Sequence, residues 1–372
     1  MNNSFPVAGR TYSPNHPLVI AEIGTSHAGD LARALDLVDA AAQAGADCAK
    51  FQCVYAEEIV HPNTGIVPLP GGPVPIYDRF RALELDEKFY AAVKERTEAR
   101  GLFFLCTPFG LRSARLLRRL GVQAMKVASP ELNHLPLIDE LASYGLPTIL
   151  SSGVSTLADI ERSIGRLACP VLLLHCVTAY PAPAEEYNLR VLRGLSEVFG
   201  VPTGVSDHSA DPVLVPSLAI ASGAVAIEKH ICLSRQDPGL DDPIALPPGD
   251  FAAMVEAIRR AAEVSAQATI AALTDSYGAH TVEAVLGDGV KRLAPSEAGN
   301  YSRTNRSIHA LQAIKRGEVF SEKNLALLRT EKVLRPGLAP ELLHSILGRV
   351  ARRAIPSGEG IEWEDVGDIA DR

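Results

Sequence analysis

Short apolar runs alternate with segments of helical spacing over the first two thirds of the chain. Strands buried on both faces read as continuous apolar runs, and their alternation with helices is typical of βα units around a parallel sheet. Eight such runs close a (β/α)₈ barrel, whereas an open doubly wound sheet usually has fewer and often carries a Gly-rich phosphate loop, a motif missing from this sequence. The pattern predicts a TIM barrel with strands at 18–24, 46–52, 102–107, 124–129, 147–152, 170–176, 202–207 and 224–230.

Helix ends and a long connection are also visible. Asp30 can cap a helix from Leu31 that Gly45 ends, and Thr156 with Asp159 has the spacing of a capping box. Residues 53–86 form the one long connection. Because long loops after barrel strands often carry function, we interpret this one as a cover for the site, the alternative being a passive surface loop. Its Pro/Gly-rich part contains Pro62, Pro68, Pro70, Gly71, Gly72, Pro73 and Pro75.

A second, smaller domain follows the barrel. The alternation of apolar runs with helical segments ends near Gly287. Beyond it, residues 314–320 resemble residues 355–361, and each of the two segments contains a Gly-Glu pair. This repeat predicts a small pseudo-symmetric β domain, with chance similarity of two hairpin turns as the alternative. We predict a catalytic barrel at 1–285, a linker at 286–302 and the β domain at 303–372.

Composition and charge exclude several classes of protein. The 372 residues are 47% hydrophobic and 22% charged, as in globular proteins, and exceed the ~250 at which one core usually stops growing. The net charge of −8 leaves no broad basic surface for nucleic acid. The sequence shows no secretory leader and no apolar stretch of about 18 residues, so we expect a cytoplasmic protein that binds no membrane. We expect the six cysteines to be buried, reduced thiols.

Polar side chains collect where the predicted strands end. In a closed barrel these carboxyl ends form one face, so the side chains converge on one cavity. Positive charge and hydroxyl groups there suit a phosphate and a carboxylate on one small substrate, although an ion pair with a barrel carboxylate is the competing interpretation for each lysine. The residues are Lys50, Lys126, Thr107, Ser129, Ser151 and Ser206.

His208 and His230 end neighbouring strands, so their imidazoles can meet on one divalent cation. Such a site suits a loosely held ion such as Mn²⁺, with Mg²⁺, Zn²⁺ and Fe²⁺ as alternatives, and His175 can join it or pack in the core. Glu22 and Glu131 are candidate proton donors or acceptors. Two carboxylates also suit a glycosidase, but that chemistry needs neither the lysines nor a metal.

The order and spacing of these segments resemble the sialic acid synthases and, more broadly, the nonulosonate synthases, which condense phosphoenolpyruvate with an amino-hexose. The C-terminal part, with Arg306-Ser307 and the repeated Gly-Glu turns, resembles the small antifreeze-like (SAF) domain, a β-clip, that follows the barrel in this family. The matching barrel segments are Ala21-Glu22-Ile23-Gly24, Ala44-Gly45-Ala46-Asp47, Lys50-Phe51-Gln52, Thr107-Pro108-Phe109, Lys126-Val127-Ala128-Ser129, Ile149-Leu150-Ser151-Ser152-Gly153, His175-Cys176, Tyr180-Pro181-Ala182-Pro183, Ser206-Asp207-His208 and Glu228-Lys229-His230.

The resemblance implies an enzyme that joins phosphoenolpyruvate to an aldose such as N-acetylmannosamine, giving a 2-keto-3-deoxy sugar acid and releasing phosphate by C–O cleavage. It also implies a domain-swapped homodimer in which the SAF domain of one subunit covers the barrel of the other. The implied phosphoenolpyruvate contacts are Lys50, Thr107, Lys126, Ser129, Ser151 and Ser206. The implied metal ligands are His208 and His230, with Glu22 as acid/base or water-orienting carboxylate. The implied acceptor contacts are Gln52, Glu131, Tyr180, Asp241 and Arg306.

Departures from the family pattern gather on the acceptor side, so the acceptor stays open between N-acetylmannosamine, a di-N-acetylated bacterial sugar and another aldehyde. Ser26-His27-Ala28-Gly29 replaces Asn-His-Asn-Gly, Thr178-Ala179 replaces Asn or Ser-Glu, Gly239-Leu240-Asp241-Asp242 replaces Gly-Pro-Asp-His, and no Asn precedes Ile76-Tyr77. Two other functions fit the same barrel. One is a metal-free aldolase with Lys50 or Lys126 as Schiff-base nucleophile, and the other is a carbohydrate-binding or assembly protein without catalysis.

Overall fold

The computed structural model describes residues 3–69, 72–237, 239–331 and 333–369, so Pro70 and Gly71 of the predicted cover lie outside the described residues. The strands are β1 (Phe5–Val7), β2 (Arg10–Tyr12), β3 (Leu18–Gly24), β4 (Cys48–Cys53), β5 (Ile66–Leu69), β6 (Gly72–Pro75), β7 (Phe103–Pro108), β8 (Met125–Val127), β9 (Thr148–Ser151), β10 (Val171–Cys176), β11 (Thr203–Asp207), β12 (Ala226–His230), β13 (Arg306–Ala310), β14 (Leu325–Arg329), β15 (Arg349–Ala351) and β16 (Val366–Ile369). The helices are α1 (Leu31–Gln43), α2 (Ile76–Arg81), α3 (Glu87–Ala99), α4 (Leu111–Arg119), α5 (Leu135–Tyr144), α6 (Leu157–Ile164), α7 (Val191–Phe199), α8 (Leu214–Ala221), α9 (Pro248–Glu263), α10 (Ala266–Tyr277), α11 (Ala279–Leu286), α12 (Pro295–Ala298) and α13 (Leu343–Ile346).

Eight parallel strands form a nearly closed barrel in the order β7-β4-β3-β12-β11-β10-β9-β8. The end strands β7 and β8 are neighbours, although the described residues form no hydrogen-bonded ladder between them. The TIM barrel prediction is therefore confirmed, and β3 coincides with the predicted run 18–24. Strand β8 is shorter than its predicted run because a 3₁₀ turn begins at Ser129 with Pro130, which has no N–H to donate.

Side chains inside the barrel form an apolar layer at the amino ends of the strands. Leu18 and Ile20 of β3 and Leu172 and Leu174 of β10 belong to this layer and are fully buried. Alternate residues of each strand point inward. The residue two positions after each member of this layer therefore also points into the barrel, closer to the carboxyl end. Gly204 of β11 is required in this layer, because a Cβ there would lie 2.5 Å from the carbonyl oxygen of Ala226.

A hairpin of β1 and β2 closes the amino end of the barrel, and sequence analysis did not predict it. Phe5 is paired with Tyr12, and both side chains are fully buried against the inner apolar layer. Strands of three residues are too short to show an alternating pattern, which is why the hairpin escaped prediction.

The predicted helix ends agree with the structure. Asp30 accepts a hydrogen bond from the backbone N–H of Arg33 at the start of α1, and Gly45 follows the helix with φ of +86°. Thr156 and Asp159 form the capping box at the start of α6. These local signals were readable because a cap depends on only a few neighbouring residues.

The long connection after β4 folds over the carboxyl end of the barrel. It contains two 3₁₀ turns, the β5–β6 hairpin and helix α2. Val67, Ile76 and Phe80 from this segment line the cavity at the mouth. The connection is therefore a structured wall of the site.

The C-terminal domain has its own apolar core and consists of short antiparallel pairs, β13 with β14 and β15 with β16. The two sequence repeats meet, since Ile314 forms an antiparallel bridge with the equivalent Ile355. Their glycines take the same left-handed conformation, with φ of +82° at Gly317 and +91° at Gly358. This equivalence supports the predicted pseudo-symmetry.

Two further observations bear on the sequence predictions. All six cysteines are free thiols, and Cys169 alone among them is partly exposed. Across the described ranges, every helix is too short or too polar to span a bilayer.

The β1–β2 hairpin allows a test of whether its packing stabilises the amino end of the barrel. Replacing Phe5 by Ala is expected to lower the free energy of unfolding by about 3–5 kcal/mol, because it empties a fully buried site. Urea unfolding measures this, with Val198→Ala, at a side chain that is 67% exposed, as the control. An unchanged midpoint for the Phe5 variant would mean that the hairpin does not hold the barrel closed.

Candidate active site

Strand register brings charged residues of the candidate site into neighbouring rows. Lys50 of β4, Glu22 of β3 and His230 of β12 are paired across the sheet, and Ser206 of β11 is paired with Glu228 of β12. Paired residues of parallel strands point to the same face of the sheet, which here is the inside of the barrel. Their side chains therefore meet above the apolar layer.

One cavity of about 520 Å³ opens at this end of the barrel. A volume of this size is typical of a small-molecule site. The cavity is lined by most of the predicted site residues, namely Glu22, Lys50, Gln52, Lys126, Ser129, Ser151, Tyr180, Ser206, His208, His230 and Asp241.

The two lysines are held between carboxylates and a hydroxyl group. Lys50 Nζ lies 2.7 Å from Glu22 Oε2 and 3.2 Å from Glu228 Oε1. Lys126 Nζ donates a hydrogen bond to Ser151 Oγ at 2.6 Å and lies 3.9 Å from Glu228 Oε1. Both lysines thus form the ion pairs with barrel carboxylates that the competing interpretation expected. An anion that enters the cavity would meet two ammonium groups fixed by these contacts, with Glu22 and Glu228 beside them.

Burial and charge act in opposite directions on these groups. Burial alone would lower the pKa of Lys50, but Glu22 and Glu228 outweigh it and hold this pKa above its usual value. For Lys126, burial prevails over the attraction of Glu228 and lowers the pKa to about 8. Burial opposes the charge of Glu228, but Lys126 and Lys50 outweigh it and lower the pKa of this carboxyl. Both lysines are therefore mainly protonated at neutral pH, with Glu228 as an ionised counter-ion.

His208 and His230 lie on one side of the cavity with ring centroids 5.7 Å apart. His208 stacks on Tyr180, and its Nδ1 lies 3.0 Å from the carbonyl oxygen of Val177. His230 Nδ1 is buried without a hydrogen-bond partner among the described residues and lies 3.9 Å from Asp241 Oδ2. Burial lowers the pKa of His230. A carbonyl on Nδ1 leaves Nε2 of His208 for a ligand, which is a common arrangement of metal-binding imidazoles.

His175 does not join the other two histidines. Its Nε2 lies 2.7 Å from the carbonyl oxygen of Tyr187, and the ring faces a separate cavity of about 340 Å³ that Lys291 also lines. Burial, followed by the charge of Lys291, lowers the pKa of His175 to about 3. His175 is therefore a neutral, buried side chain, which is the second of the two sequence interpretations.

Three predicted site residues lie off the cavity lining. Thr107 is paired with Gln52, and its buried hydroxyl has no hydrogen-bond partner in the described part of the chain. Glu131 and Arg306 are fully buried and bind each other, with Arg306 Nη2 at 2.8 Å from Glu131 Oε1. Arg306 also donates to the carbonyl oxygens of Glu58, Phe109 and Leu327. In this structure Arg306 thus joins the C-terminal domain to the barrel instead of entering the cavity.

Two residues of the site had no role in the sequence predictions. Glu228 stands in the matching segment Glu228-Lys229-His230 and was expected among the polar strand ends, two residues before His230 on the same strand, but no role was assigned to it. Arg329 of β14 lines the cavity and binds Glu131 with both Nε and Nη2. No local signal marks Arg329, because its partner lies in the other domain.

Comparison of the sequence with profiles of known protein families identifies the family of this chain. The profile of the NeuB family matches residues 37–269, and the SAF domain profile matches residues 305–367. The chain belongs to the NeuB family. The resemblance to the nonulosonate synthases and their SAF domain is thereby confirmed, and so is the prediction of an enzyme.

Members of the NeuB family from distant organisms align with nearly the whole chain. N,N'-diacetyllegionaminic acid synthase of Legionella pneumophila is 31% identical, with 94% of each chain covered. Human N-acetylneuraminate-9-phosphate synthase is 29% identical, with 92% of this chain and 90% of the human protein covered. The solved structure of spore coat polysaccharide biosynthesis protein SpsE of Bacillus subtilis superposes with a TM-score of 0.81 at 33% identity, covering 98% of this chain and 99% of SpsE.

Part of the acceptor-side difference noted in the sequence lies on the cavity wall. Thr178, Ala179 and Leu240 line the cavity, together with the apolar side chains of Ile76 and Phe109, whereas residues 26–29 are not among its lining residues. Both lysines and three of the four predicted hydroxyl groups, those of Ser129, Ser151 and Ser206, line it too.

Gly153 gives a test of packing at this wall of the NeuB site. A Cβ on Gly153 would lie 2.1 Å from Thr178 Oγ1, and Gly153 N donates to Ser129 Oγ at 3.0 Å. The Gly153→Ala variant is expected to lose about 1–3 kcal/mol in free energy of unfolding, measured with urea, because the wall must shift. In a Thr178→Ala background the loss is expected to be smaller, since the closest contact is gone. Equal losses in both backgrounds would show that this contact is not the cause.

Proposed function

We propose that this chain condenses phosphoenolpyruvate with the aldehyde of an N-acylated amino sugar to form a 2-keto-3-deoxy sugar acid and phosphate. The observation that carries the proposal is that two protonated lysines, a set of hydroxyl groups and two imidazoles line one cavity. The named NeuB relatives, which are legionaminic, pseudaminic and sialic acid synthases, support the product class.

The pole of the cavity around the two lysines is suited to an enol phosphate. Lys126 already donates to Ser151 Oγ, and Ser129 Oγ accepts from Gly153 N, so the hydroxyl groups at this pole are held in place. Phosphate and carboxylate oxygens need several donors at fixed positions, which preorganised ammonium and hydroxyl groups provide. Thr107, whose buried hydroxyl is unpartnered in the described residues, is a further candidate donor if the ligand reaches it.

His208 and His230 would hold a divalent cation, for which we propose Mn²⁺, with Mg²⁺ as the alternative. The buried, unpartnered Nδ1 of His230 and the carbonyl-bound Nδ1 of His208 fit such a role. Within the described residues no group of three or more His, Cys, Asp or Glu side chains could hold a metal, so the remaining ligands would be water and substrate oxygens. When bound, the ion supplies Lewis-acid polarisation of the acceptor's carbonyl oxygen.

The residues of the chain account for the other steps. Lys50 and Lys126 hold the enol phosphate while its C3 attacks the aldehyde carbon, which forms the C–C bond, moves the carbonyl electron pair to the aldehyde oxygen and leaves C2 cationic. Water then adds at C2, and phosphate leaves with cleavage of the C2–O bond, so the new keto oxygen comes from water. The two protons of this water end on the new hydroxyl group and on phosphate. Glu22, which accepts from Gln52 Nε2 at 2.7 Å and faces the cavity, is the carboxylate available to orient that water and take its proton.

The acceptor would occupy the outer half of the cavity. Gln52, Tyr180 and Asp241 are polar residues that line the cavity, and Arg329 of the C-terminal domain lines it too. Apolar lining from Val67, Ile76, Phe80, Phe109 and Leu240 suits the methyl group of an N-acyl substituent. N-acetylmannosamine and a di-N-acetylated sugar both remain candidates for the acceptor.

In the predicted domain-swapped homodimer, the contact between the C-terminal domain and the barrel would form between two chains, whereas the structure contains it within one chain. Here Arg306 and Arg329 bind Glu131 of the same chain, so the C-terminal domain covers its own barrel. Exchange between two chains would keep the same residue pairs. The homodimer and the cytoplasmic location stay predictions.

The activity is tested by phosphate release. Purified protein with phosphoenolpyruvate, Mn²⁺ and a panel of aldoses that includes N-acetylmannosamine and 2,4-diacetamido sugars is expected to release phosphate with at least one acceptor. The product is expected to carry a keto group whose oxygen derives from ¹⁸O-labelled water. Silence across the panel would favour the binding-protein alternative. Borohydride trapping of a carbonyl substrate on Lys50 or Lys126 would favour the Schiff-base aldolase.

The histidine pair gives a second test. His208→Ala and His230→Ala are expected to lose activity by at least a hundredfold while keeping the melting temperature within a few degrees, because both side chains face the cavity. Chelator treatment of the wild type should abolish activity, and added Mn²⁺ should restore it. A His208→Ala variant that works at nearly the wild-type rate in metal-free buffer would contradict the proposed metal.

A further inference from the structure

The segment between the two domains contacts the ends of two barrel strands through its side chains. Glu297, at the end of the predicted linker, accepts hydrogen bonds on Oε2 from the backbone N–H of Val154 at 2.9 Å and of Thr178 at 2.8 Å. Val154 follows β9, and Thr178 follows β10. One carboxylate oxygen therefore joins the loops that leave two neighbouring strands.

Two asparagines complete this contact on the carbonyl side. Asn305 Nδ2 donates to the carbonyl oxygen of Val154 at 3.0 Å, and Asn300 Nδ2 donates to that of Thr178 at 3.4 Å. Both backbone groups of Val154 and both of Thr178 are thus bound by side chains from residues 297–305, which span the end of the linker and the start of the C-terminal domain. The group of Glu297, Asn300 and Asn305 is called the linker clamp below.

The clamped loops carry the wall of the lysine pole. Ser151, which accepts from Lys126, lies three residues before Val154, and Gly153 N donates to Ser129 Oγ. Val154 itself has φ of +43°, a conformation that a β-branched residue avoids unless its surroundings hold it. The clamp supplies that restraint.

Glu297 is suited to this task by its burial and its partners. Its side chain is 1% exposed, and its other carboxylate oxygen accepts from the backbone N–H of Ala294. Three backbone N–H groups, those of Val154, Thr178 and Ala294, bind its two oxygens directly, which fixes the carboxylate with respect to the backbone of both loops. Lys291, which lines the same separate cavity as Glu297, is attracted to this buried charge.

We propose that Glu297 is a positioning residue that sets the phosphate-binding wall of the cavity from the interdomain linker. Asn305 is followed directly by Arg306 and β13 of the C-terminal domain, so the placement of that domain and the geometry of this wall are coupled through one segment. The proposal rests on the proposed function for its kinetic consequences. The restraint of the loops does not depend on that function and can be measured separately.

Hydrogen–deuterium exchange tests the restraint itself. In Glu297→Ala, peptides covering residues 150–156 and 176–180 are expected to exchange at least tenfold faster, while peptides from the opposite end of the barrel stay unchanged. The matched control is Asp47→Ala, because Asp47 Oδ2 likewise accepts from a backbone N–H, that of Val19 at 2.8 Å, and from Arg259, but does so at the amino end of the strands. Exchange of the two loops at the wild-type rate in Glu297→Ala would overturn the proposal.

Steady-state kinetics test the consequence for the site. Glu297→Ala is expected to raise KM for phosphoenolpyruvate at least fivefold and to lower kcat at least tenfold, at a temperature where the variant is folded. Asp47→Ala is expected to lose stability with both constants unchanged. Equal kinetic losses in the two variants would show that lost stability, and not positioning, is the cause. If the wild-type protein has no synthase activity, the proposed function is refuted and the kinetic test cannot be made. The hydrogen–deuterium exchange experiment would then decide alone whether Glu297 restrains the two loops.

A conservative pair keeps the proposal testable if Glu297→Ala does not fold. Glu297→Gln keeps the length and one oxygen that can accept from both N–H groups, whereas Glu297→Asp keeps the charge but is shorter by one methylene. The proposal predicts that the Gln variant has a KM for phosphoenolpyruvate within threefold of the wild type and exceeds the Asp variant in kcat. The reverse order would overturn it, because charge and not reach would then matter.

Discussion

The structure depends on the alternation of side chains along eight short parallel strands. Each strand must fill the barrel with apolar side chains at its amino end and present polar ones at its carboxyl end, on the same inward face. On β3, Leu18 and Ile20 fill the barrel, and Glu22 is the polar side chain at the carboxyl end. Because register fixes neighbours, Glu22 meets Lys50 on one side and His230 on the other. The site is therefore a continuation of the core.

Charges in this position can be buried only because they compensate each other. Lys50 has two carboxylates within 3.2 Å, and Glu228 serves both lysines. The C-terminal domain repeats the principle, with Glu131 shared between Arg306 and Arg329. Removal of one member of such a group leaves an uncompensated buried charge, which costs much more than an exposed ion pair contributes. The Glu131 cluster joins the barrel mouth to the covering domain, since the glutamate belongs to the barrel and both arginines belong to the C-terminal domain.

The sequence predicted those features that depend on local pattern. The eight strands, the caps at Asp30 and Thr156 and the repeated turns of the C-terminal domain were readable because each is encoded within a few residues. The ring of polar strand ends followed from the fold, and the family resemblance assigned the roles. The same argument placed Glu228 among the polar strand ends, but no role was assigned to it.

What the sequence could not predict depends on contacts between distant segments. The pairing of Arg329 with Glu131 joins residues from the two domains, and the clamp formed by Glu297 joins the linker to two strand ends. The placement of Arg306 beside Glu131 rather than in the cavity depends on how the domains dock. No periodicity or motif carries this information, because such contacts arise only when the chain is folded.

The central claim is that the two lysines form a prearranged anion site, and direct binding of phosphoenolpyruvate tests it without turnover. Isothermal titration calorimetry of the metal-free protein should give a dissociation constant that weakens at least tenfold, about 1.4 kcal/mol, in Lys126→Met. Lys88→Met, at an exposed position of α3, should bind as the wild type does. Equal affinity of Lys126→Met and the wild type would contradict the account.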